Sequence, residues 1–399
     1  MIELFFSHIG EPSPTLRRIV ADFEAQSGVK VTFKIVDWDN AWHELLTWAI
    51  YEEDIDVSHI GSTWASSLMA LNALRAFKQD EINVTGGQFA FLAQAWQSGK
   101  APVSVHTWSL PWTTYTFLIA YRRDMLAQAG IDEPSAFNTA ELLGATLQKL
   151  TDAGIQYPWV VPVGEHHLDS LHYIASWVWG AAGDFVTPDN LHVGFTQPDP
   201  FRAMQRYFAL MRYMKPVPIP FDEDAALKAF RDGQAAVTIM GAGIAYEMML
   251  NPETPAELRE NIGFASMPGV PWVGGDNLVI WKHVSLEPER EKAAVALVHY
   301  LLSHDCQVAN ARAEDVGIPA RLDAFDALPL PDTQLTRAVI RSLRTGRAYR
   351  SLTPWSKIEH RFGLTLGKIG AEILNGADID EATRTHLKYF AQWLEITLQ

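Results

Sequence analysis

Two stretches of this 399-residue sequence hold side chains that could do chemistry. "GEHHLD", from Gly164, offers His166, His167 and Asp169 as metal donors. Neighbouring residues on a strand point to opposite faces, though, and neither an HExxH spacing nor a partnering cysteine completes a ligand set. A binding or surface loop is expected there, and no metal. "GQAAVTIMGAGIAYEMML", residues 233–250, reads as a short buried strand that breaks at Gly241 and Gly243 and runs into a helix. Such a junction leaves backbone N–H groups free at the helix start, where an anion could sit. The stretch lacks the GK[ST] ending of a phosphate loop and is not GxGxxG. No GxSxG nucleophile elbow occurs in the chain. Among its 47 acidic residues no pair stands at equivalent strand ends in the manner of a glycoside-hydrolysing acid and base. Enzyme chemistry is unsupported and no cofactor is expected. The glycines would then let an uncharged ligand, or an opposing backbone, come close; a plain turn with positive φ is the competing expectation.

Tryptophan is the unusual component: there are 14, with 11 tyrosines. Burying an indole is costly unless its N–H finds a partner. Four indoles stand beside polar or turn residues: Trp38 in "VDWDN", Trp64 in "GSTWASS", Trp112 in "LPWTTY" and Trp272 in "GVPWVGG". Four at strand ends suggest flat faces offered to a ligand.

The rest of the chain must position these residues. Its length exceeds one ordinary core and predicts two or three domains. With 48% hydrophobic and 20% charged residues the composition is that of a globular protein. A net charge of −15 argues against a nucleic-acid partner and against anionic membranes. The single cysteine, Cys306, excludes an internal disulfide and a cysteine-based zinc site. No apolar run approaches the about eighteen residues of a transmembrane helix. No leader precedes the first strand, which fits a cytosolic protein or a mature exported form.

Strand and helix alternate through the first eighty residues. "IELFFSH" is a strand, and "PSPTLRRIVADFEAQSG" a helix with Leu16, Ile19, Val20 and Phe23 on one face. "VKVTFKIVDW" and "DIDVSHIGS" are further strands, separated by the helix "NAWHELLTWAIYEE". This order predicts a parallel sheet with crossover helices, whose ligands lie beyond the carboxyl ends of the strands. Those ends carry His8, then Trp38 with Asp39, then Ser62, Thr63 and Trp64. Later, a strand over residues 116–121, a capped helix from Asn138 or Thr139, the strand "YPWVVPV", and helices near 200–214, 223–232, 287–304, 333–345, 355–375 and 380–397 complete a second αβ series. "IGFASMPGVPWVGGDNLVIWK" reads as two strands around a glycine-rich loop.

Several segments together resemble the extracellular solute-binding proteins of bacterial carbohydrate ABC importers, the group that includes maltodextrin-binding proteins. They are "FEAQSGVKVTFKIVDW", "DVSHIGSTWASSLMALNALRAF", "LPWTTYTFLIAYRRDMLAQAGI", "FRDGQAAVTIMGAG", "MPGVPWVGGDNLVIWK" and "VGIPAR". The pair "YRRDMLAQAGI" and "FRDGQAAVTIMGAG" is the most specific; "GAGIAYE" departs from relatives that carry a tryptophan beyond that strand. The resemblance implies an α/β, two-lobe periplasmic-binding-protein fold, each lobe a mainly parallel sheet flanked by helices. One lobe would take residues 1–108 and 262–308, the other 112–258 and 316–399, with hinge segments at 109–111, 259–261 and 309–315. It further implies a monomer without catalysis, periplasmic or tethered outside a Gram-positive cell, that binds a carbohydrate by hinge closure between lobes and delivers it to permease subunits in the membrane.

A sugar offers CH faces to aromatic rings and hydroxyls to short polar groups and backbone N–H. On that basis His8 is a donor after the first strand, and Trp38, Trp112 and Trp272 are stacking faces, or else packing residues. Asp39, Ser62, Thr63 and Thr113 would meet hydroxyls, with Ser62 and Thr63 alternatively capping a helix. Gly164, His166, His167 and Gly241 belong to the second lobe's share. Gly274, Gly275, Asp276 and Asn277 form a turn that offers backbone, or a tight hairpin. Arg350 and Trp355 in "AYRSLTPW" lie where relatives often reach the ligand, and an arginine there would suit an anionic sugar. Two further readings stay open: a cationic or amphipathic solute held in a tryptophan cage with Asp39 or Asp276 as counter-charge, and a glycan-active hydrolase.

Overall fold

A computed structural model describes residues 2–51, 54–100, 105–163, 169–214, 222–311, 317–328 and 333–399, without the side chains of Asp39 and Pro134. Its strands are β1 (Glu3–Ile9), β2 (Lys30–Val36), β3 (Val57–Gly61), β4 (Ser109–Pro111), β5 (Thr113–Arg122), β6 (Tyr157–Val160), β7 (Ala235–Gly241), β8 (Ile262–Ser266), β9 (Val273–Gly274), β10 (Asp276–Ile280) and β11 (Ile318–Pro319). The chain divides into two compact units. One comprises Met1–Tyr115, Val273–Leu330 and Ala348–Ser356; the other comprises Thr116–Trp272, Pro331–Arg347 and Lys357–Gln399. The crossing after Trp272, rather than at 259–261, follows from β8, which is bonded to the second unit's part of β5.

In the first unit the strand order is β2-β1-β3-β10-β4. β1 runs parallel to both β2 and β3, while β10 is antiparallel to β3 and β4. Four strands therefore point one way and β10 is inserted against them. Helices supply the crossovers. The first, Pro14–Ser27, buries Leu16, Ile19, Val20 and Phe23, each stabilising by at most about 1.5–3 kcal/mol. The Ser13 hydroxyl accepts the Leu16 N–H at its start, and Gly28, at φ 71°, returns its N–H to the Glu24 carbonyl at its end. The core gathers Leu4, Phe6, Val57, Ile60, Leu278 and Ile280. Beneath it, fully buried Asp56 accepts the Phe5 N–H at 2.7 Å and a two-pronged contact from Arg290, so its charge is compensated.

The second unit repeats this plan. β7 runs parallel to β6 and antiparallel to β5, and β5 is antiparallel to β8, so β5 is the inserted strand. Leu118, Ile119, Val237, Ile239 and Phe264 fill its core, with the helix Ser170–Gly180 buried along nearly its whole length. Thr139 caps the helix Ala140–Asp152 by accepting the Leu142 N–H. Among the described residues, no helix is long and apolar enough to cross a membrane.

The segment read as two strands around a loop is three strands in two sheets. β9 pairs with β5, whereas β10 pairs with β3 and β4. No hairpin forms between them. Gly275 makes the passage at φ +137°, and a Cβ there would lie 2.3 Å from the Thr113 carbonyl oxygen.

Candidate ligand-binding site

Sheet register brings the expected rim together in the first unit. Ile9 pairs with Val36, and Gly61 pairs with Asp276. The carboxyl ends of β1, β2 and β3 thus share an edge with the amino end of β10 and with Trp112, which follows β4. This edge carries His8, Trp38, His59, Trp64, Trp112, Thr113 and Asp276.

His59 lies at the centre. Its ring is 4.7 Å from that of His8, 5.1 Å from Trp112 and 6.2 Å from Trp38, the last two edge-on. Its Nδ1 accepts the Ile9 N–H at 3.3 Å, which leaves the ring hydrogen on Nε2. Nε2 faces Asp276 Oδ2 at 3.4 Å, and the Thr113 hydroxyl donates to the same oxygen at 2.8 Å. Burial pushes the Asp276 carboxyl upward, but the facing His59 ring and the hydrogen bond from Thr113 outweigh it and hold the group below its ordinary range. His8 shows the opposite balance: burial, reinforced by neighbouring His59, drives it down to about 3. It stays neutral and donates Nδ1–H to the Gly10 carbonyl at 2.9 Å. His8 therefore spends its Nδ1 donor within the protein and keeps Nε2 as an acceptor.

The indoles divide by burial. Trp38 opens the helix Trp38–Tyr51 and is 52% exposed, with its ring 5.7 Å from that of Trp64. Trp42 extends this group, 5.9 Å from Trp64. Trp112 is only 3% exposed and is packed on His8, His59 and Phe6. It forms the floor rather than a stacking face. Ser62 and Thr63 are half-buried after β3, and the Ser62 N–H bonds the Gly275 carbonyl at 2.9 Å. The helix that follows takes Trp64 as its cap residue and has no side-chain cap, so neither residue serves in that way.

Other expected residues face elsewhere. Asn277 is buried, and its amide donates to Ser98 and Ser109 hydroxyls at 2.9 Å each, so it braces the sheet and offers a ligand nothing. Trp355 is buried against Tyr349 at 4.5 Å, while Arg350 is half-buried nearby in sequence. In the second unit, Trp272 is stacked on His172 at 3.9 Å and 8° and on Phe117 at 5.7 Å. Packing occupies its ring. Gly241 is buried at the end of β7, and its φ of −66° removes the positive-φ explanation. It carries the strand straight into the helix Ala242–Leu250, as a short-residue junction should. Gly164, His166 and His167 lie outside the described residues, as does the Asp39 side chain. Gly274 bonds through its carbonyl to the Thr114 hydroxyl at 3.2 Å.

His59, Trp42 and the bracing function of Thr113 were not foreseen. "VSHIG" reads as a buried strand, and a histidine inside such a run carries no spacing signal; only its position two residues before the strand end could have suggested the rim. The Thr113 hydroxyl donates to the carboxylate and not to an imidazole, so the hydroxyl–imidazole–carboxylate order of a nucleophilic triad is absent here. Among the described residues, no three His, Cys, Asp or Glu side chains converge on a metal position.

Comparison with known proteins bears on this arrangement. The sequence model of the family described as bacterial extracellular solute-binding protein matches residues 8–308. A protein of Brucella abortus (strain 2308), named only as a candidate binding protein, is 25% identical over 204 residues, which are 50% of this chain and 46% of that protein. The chain thus aligns to about half the length of the curated relatives it matches. Three solved structures share the fold across nearly the whole chain. An ABC transporter solute-binding protein from Thermotoga lettingae TMO, bound with alpha-D-tagatose, superposes with a TM-score of 0.80 at 19% identity, covering 99% of this chain and 100% of that one. The sugar-binding protein MalE from Xanthomonas citri gives 0.80 at 19% identity, covering 99% and 97%. Maltose-bound T. maritima MalE3 gives 0.79 at 20% identity, covering 100% of both chains.

Proposed function

The chain belongs to the bacterial extracellular solute-binding proteins, and on that premise we propose that it is the non-catalytic substrate-binding component of an ABC importer, capturing a sugar, oligosaccharide or glycoside for delivery to membrane permease subunits. The observation that carries this reading is the half-exposed Trp38 indole beside the His59–Asp276 pair. An indole face suits the CH side of a sugar ring and a carboxylate its hydroxyls. The tagatose and maltose held by two proteins of the same fold support the same ligand class. Hinge closure is the capture motion of such proteins. The working form is a monomer outside the cytoplasmic membrane, periplasmic or tethered according to the host.

Titration calorimetry of the purified chain against a panel of neutral mono- and oligosaccharides tests the proposal. Saturable heat with at least one member, and an unaltered sugar on recovery, is the expected result. Release of free sugar from a glycoside would favour the hydrolase reading instead.

A further inference from the structure

Asp276 is held by one oxygen only. Oδ2 receives the Thr113 hydroxyl at 2.8 Å and faces His59 Nε2 at 3.4 Å, whereas Oδ1 has no partner among the described residues. The side chain keeps 24% of its surface exposed. We infer that Asp276 presents Oδ1 to the ligand as a fixed acceptor, with His59 as its positioning residue, so that the group captured at this rim is an uncharged or cationic donor, a hydroxyl or an ammonium, and not a carboxylate, sulfonate or phosphate. The inference rests on the binding reading above and narrows its ligand class.

The direction of each hydrogen bond sets this selectivity. A backbone N–H can only donate, so Ile9 forces His59 Nδ1 to accept and sends the ring hydrogen to Nε2, toward the carboxylate. Were the tautomer reversed, two lone pairs would face each other across 3.4 Å. A carbonyl can only accept, so Gly10 fixes the hydrogen of neutral His8 on Nδ1 and leaves Nε2 an acceptor. Arg17, whose charge acts on His8, is paired with Glu11 and lies over the Phe33 ring. The atoms that His8, His59 and Asp276 still have to give, His8 Nε2 and Asp276 Oδ1, are thus acceptors. A ligand anion would meet the Asp276 carboxylate and the lone pair of His8 Nε2, and His8, His59, Trp38, Trp112, Thr113 and Asp276 include no compensating cation. The anionic sugar suggested by Arg350 in the sequence is disfavoured at this subsite. Trp38, edge-on to His59 and half in solvent, can offer its indole face to a ring or a quaternary cation.

The test uses the full chain with glucose, glucosamine, glucuronate and choline as probes, followed by intrinsic tryptophan fluorescence and calorimetry. Glucose or glucosamine is expected to bind at least about tenfold more tightly than glucuronate, since losing one bond to a charged acceptor weakens binding about ten- to a hundredfold. Asp276→Asn should weaken the best probe by that same range. His59→Leu should weaken it comparably, whereas His59→Gln, whose amide N–H reaches the same oxygen, should restore affinity to within a few fold. A tighter complex with glucuronate, or indifference of the bound probe to Asp276→Asn, would overturn the inference. If only choline binds, with sensitivity to Asp276→Asn, the sugar reading fails while the donor rule stands. Independently of any ligand, nitrogen NMR of His59 should report hydrogen on Nε2 near neutral pH; hydrogen on Nδ1 would refute the clamp.

Discussion

Gly275 and Thr113 approach so closely that a single methyl group cannot be placed between them: a Cβ on Gly275 would stand 2.3 Å from the Thr113 carbonyl oxygen and 2.7 Å from the Thr114 Cα. The contact fixes the passage from β9 to β10 and, with it, the start of β10 at Asp276. Gly275→Ala should therefore destabilise the protein by about 2–4 kcal/mol, through strain at φ +137° and the clash with backbone. Thermal and urea denaturation measure this. A variant as stable as the parent would mean that the backbone here can shift freely.

Trp38 and Trp112 sit on one rim but should respond differently to truncation. Trp38 is half in solvent, so Trp38→Ala should weaken ligand binding by about 1 kcal/mol or more while leaving the unfolding midpoint nearly unchanged. Trp112 is packed under both histidines, and Trp112→Ala should cost about 3–5 kcal/mol of stability. Paired calorimetric titration and denaturation separate the two effects, and equal losses of stability would contradict the assignment of Trp38 to the ligand.

Asn277 shares a strand end with Asp276 yet points inward. Asn277→Ala leaves the Ser98 and Ser109 hydroxyls without their common donor in a buried site, at an expected cost of about 1–3 kcal/mol. Binding by the folded variant should hold within a few fold. A large loss of affinity with intact stability would return Asn277 to the ligand set.

His8 makes stability fall on mild acidification. Its folded pKa is depressed to about 3, so between the unfolded value near 6.5 and that figure the unfolded chain takes up a proton that the native chain refuses. Stability is complete above pH 6.5 and declines below it, by about 1–2 kcal/mol down to pH 5, given about 1.4 kcal/mol per pH unit for one proton. Asp276, also held low, adds loss in the same direction, but only in the more acidic carboxylate range. His8→Phe should flatten the curve between pH 6.5 and 5 in urea titrations; an unchanged slope would show that His8 protonates in the native state.

The sequence by itself determined the elements and the edge. Leu16, Ile19, Val20 and Phe23 recur at helical spacing, Gly28 stops that helix, and all four side chains are buried where the spacing puts them. Alternation of strand and helix was enough to place His8, Trp38 and the residues after β3 at carboxyl ends, because crossover helices oblige β1, β2 and β3 to run parallel. Which side chain at an edge looks outward is another matter. Val57–Gly61 is buried on both faces, so no alternation distinguishes His59 from its neighbours. Trp112 and Trp272 resemble Trp38 in composition and turn context, yet neighbours remote in sequence cover their rings: His8 and His59, and His172. Asn277 and Asp276 are adjacent, and the pleat alone sends one into the sheet and the other to the rim. Local periodicity is written in the chain because it arises from backbone geometry. Partnership is not, because the approach of His59 to Asp276, or a ring laid over another, exists only once the sheet order has brought them together.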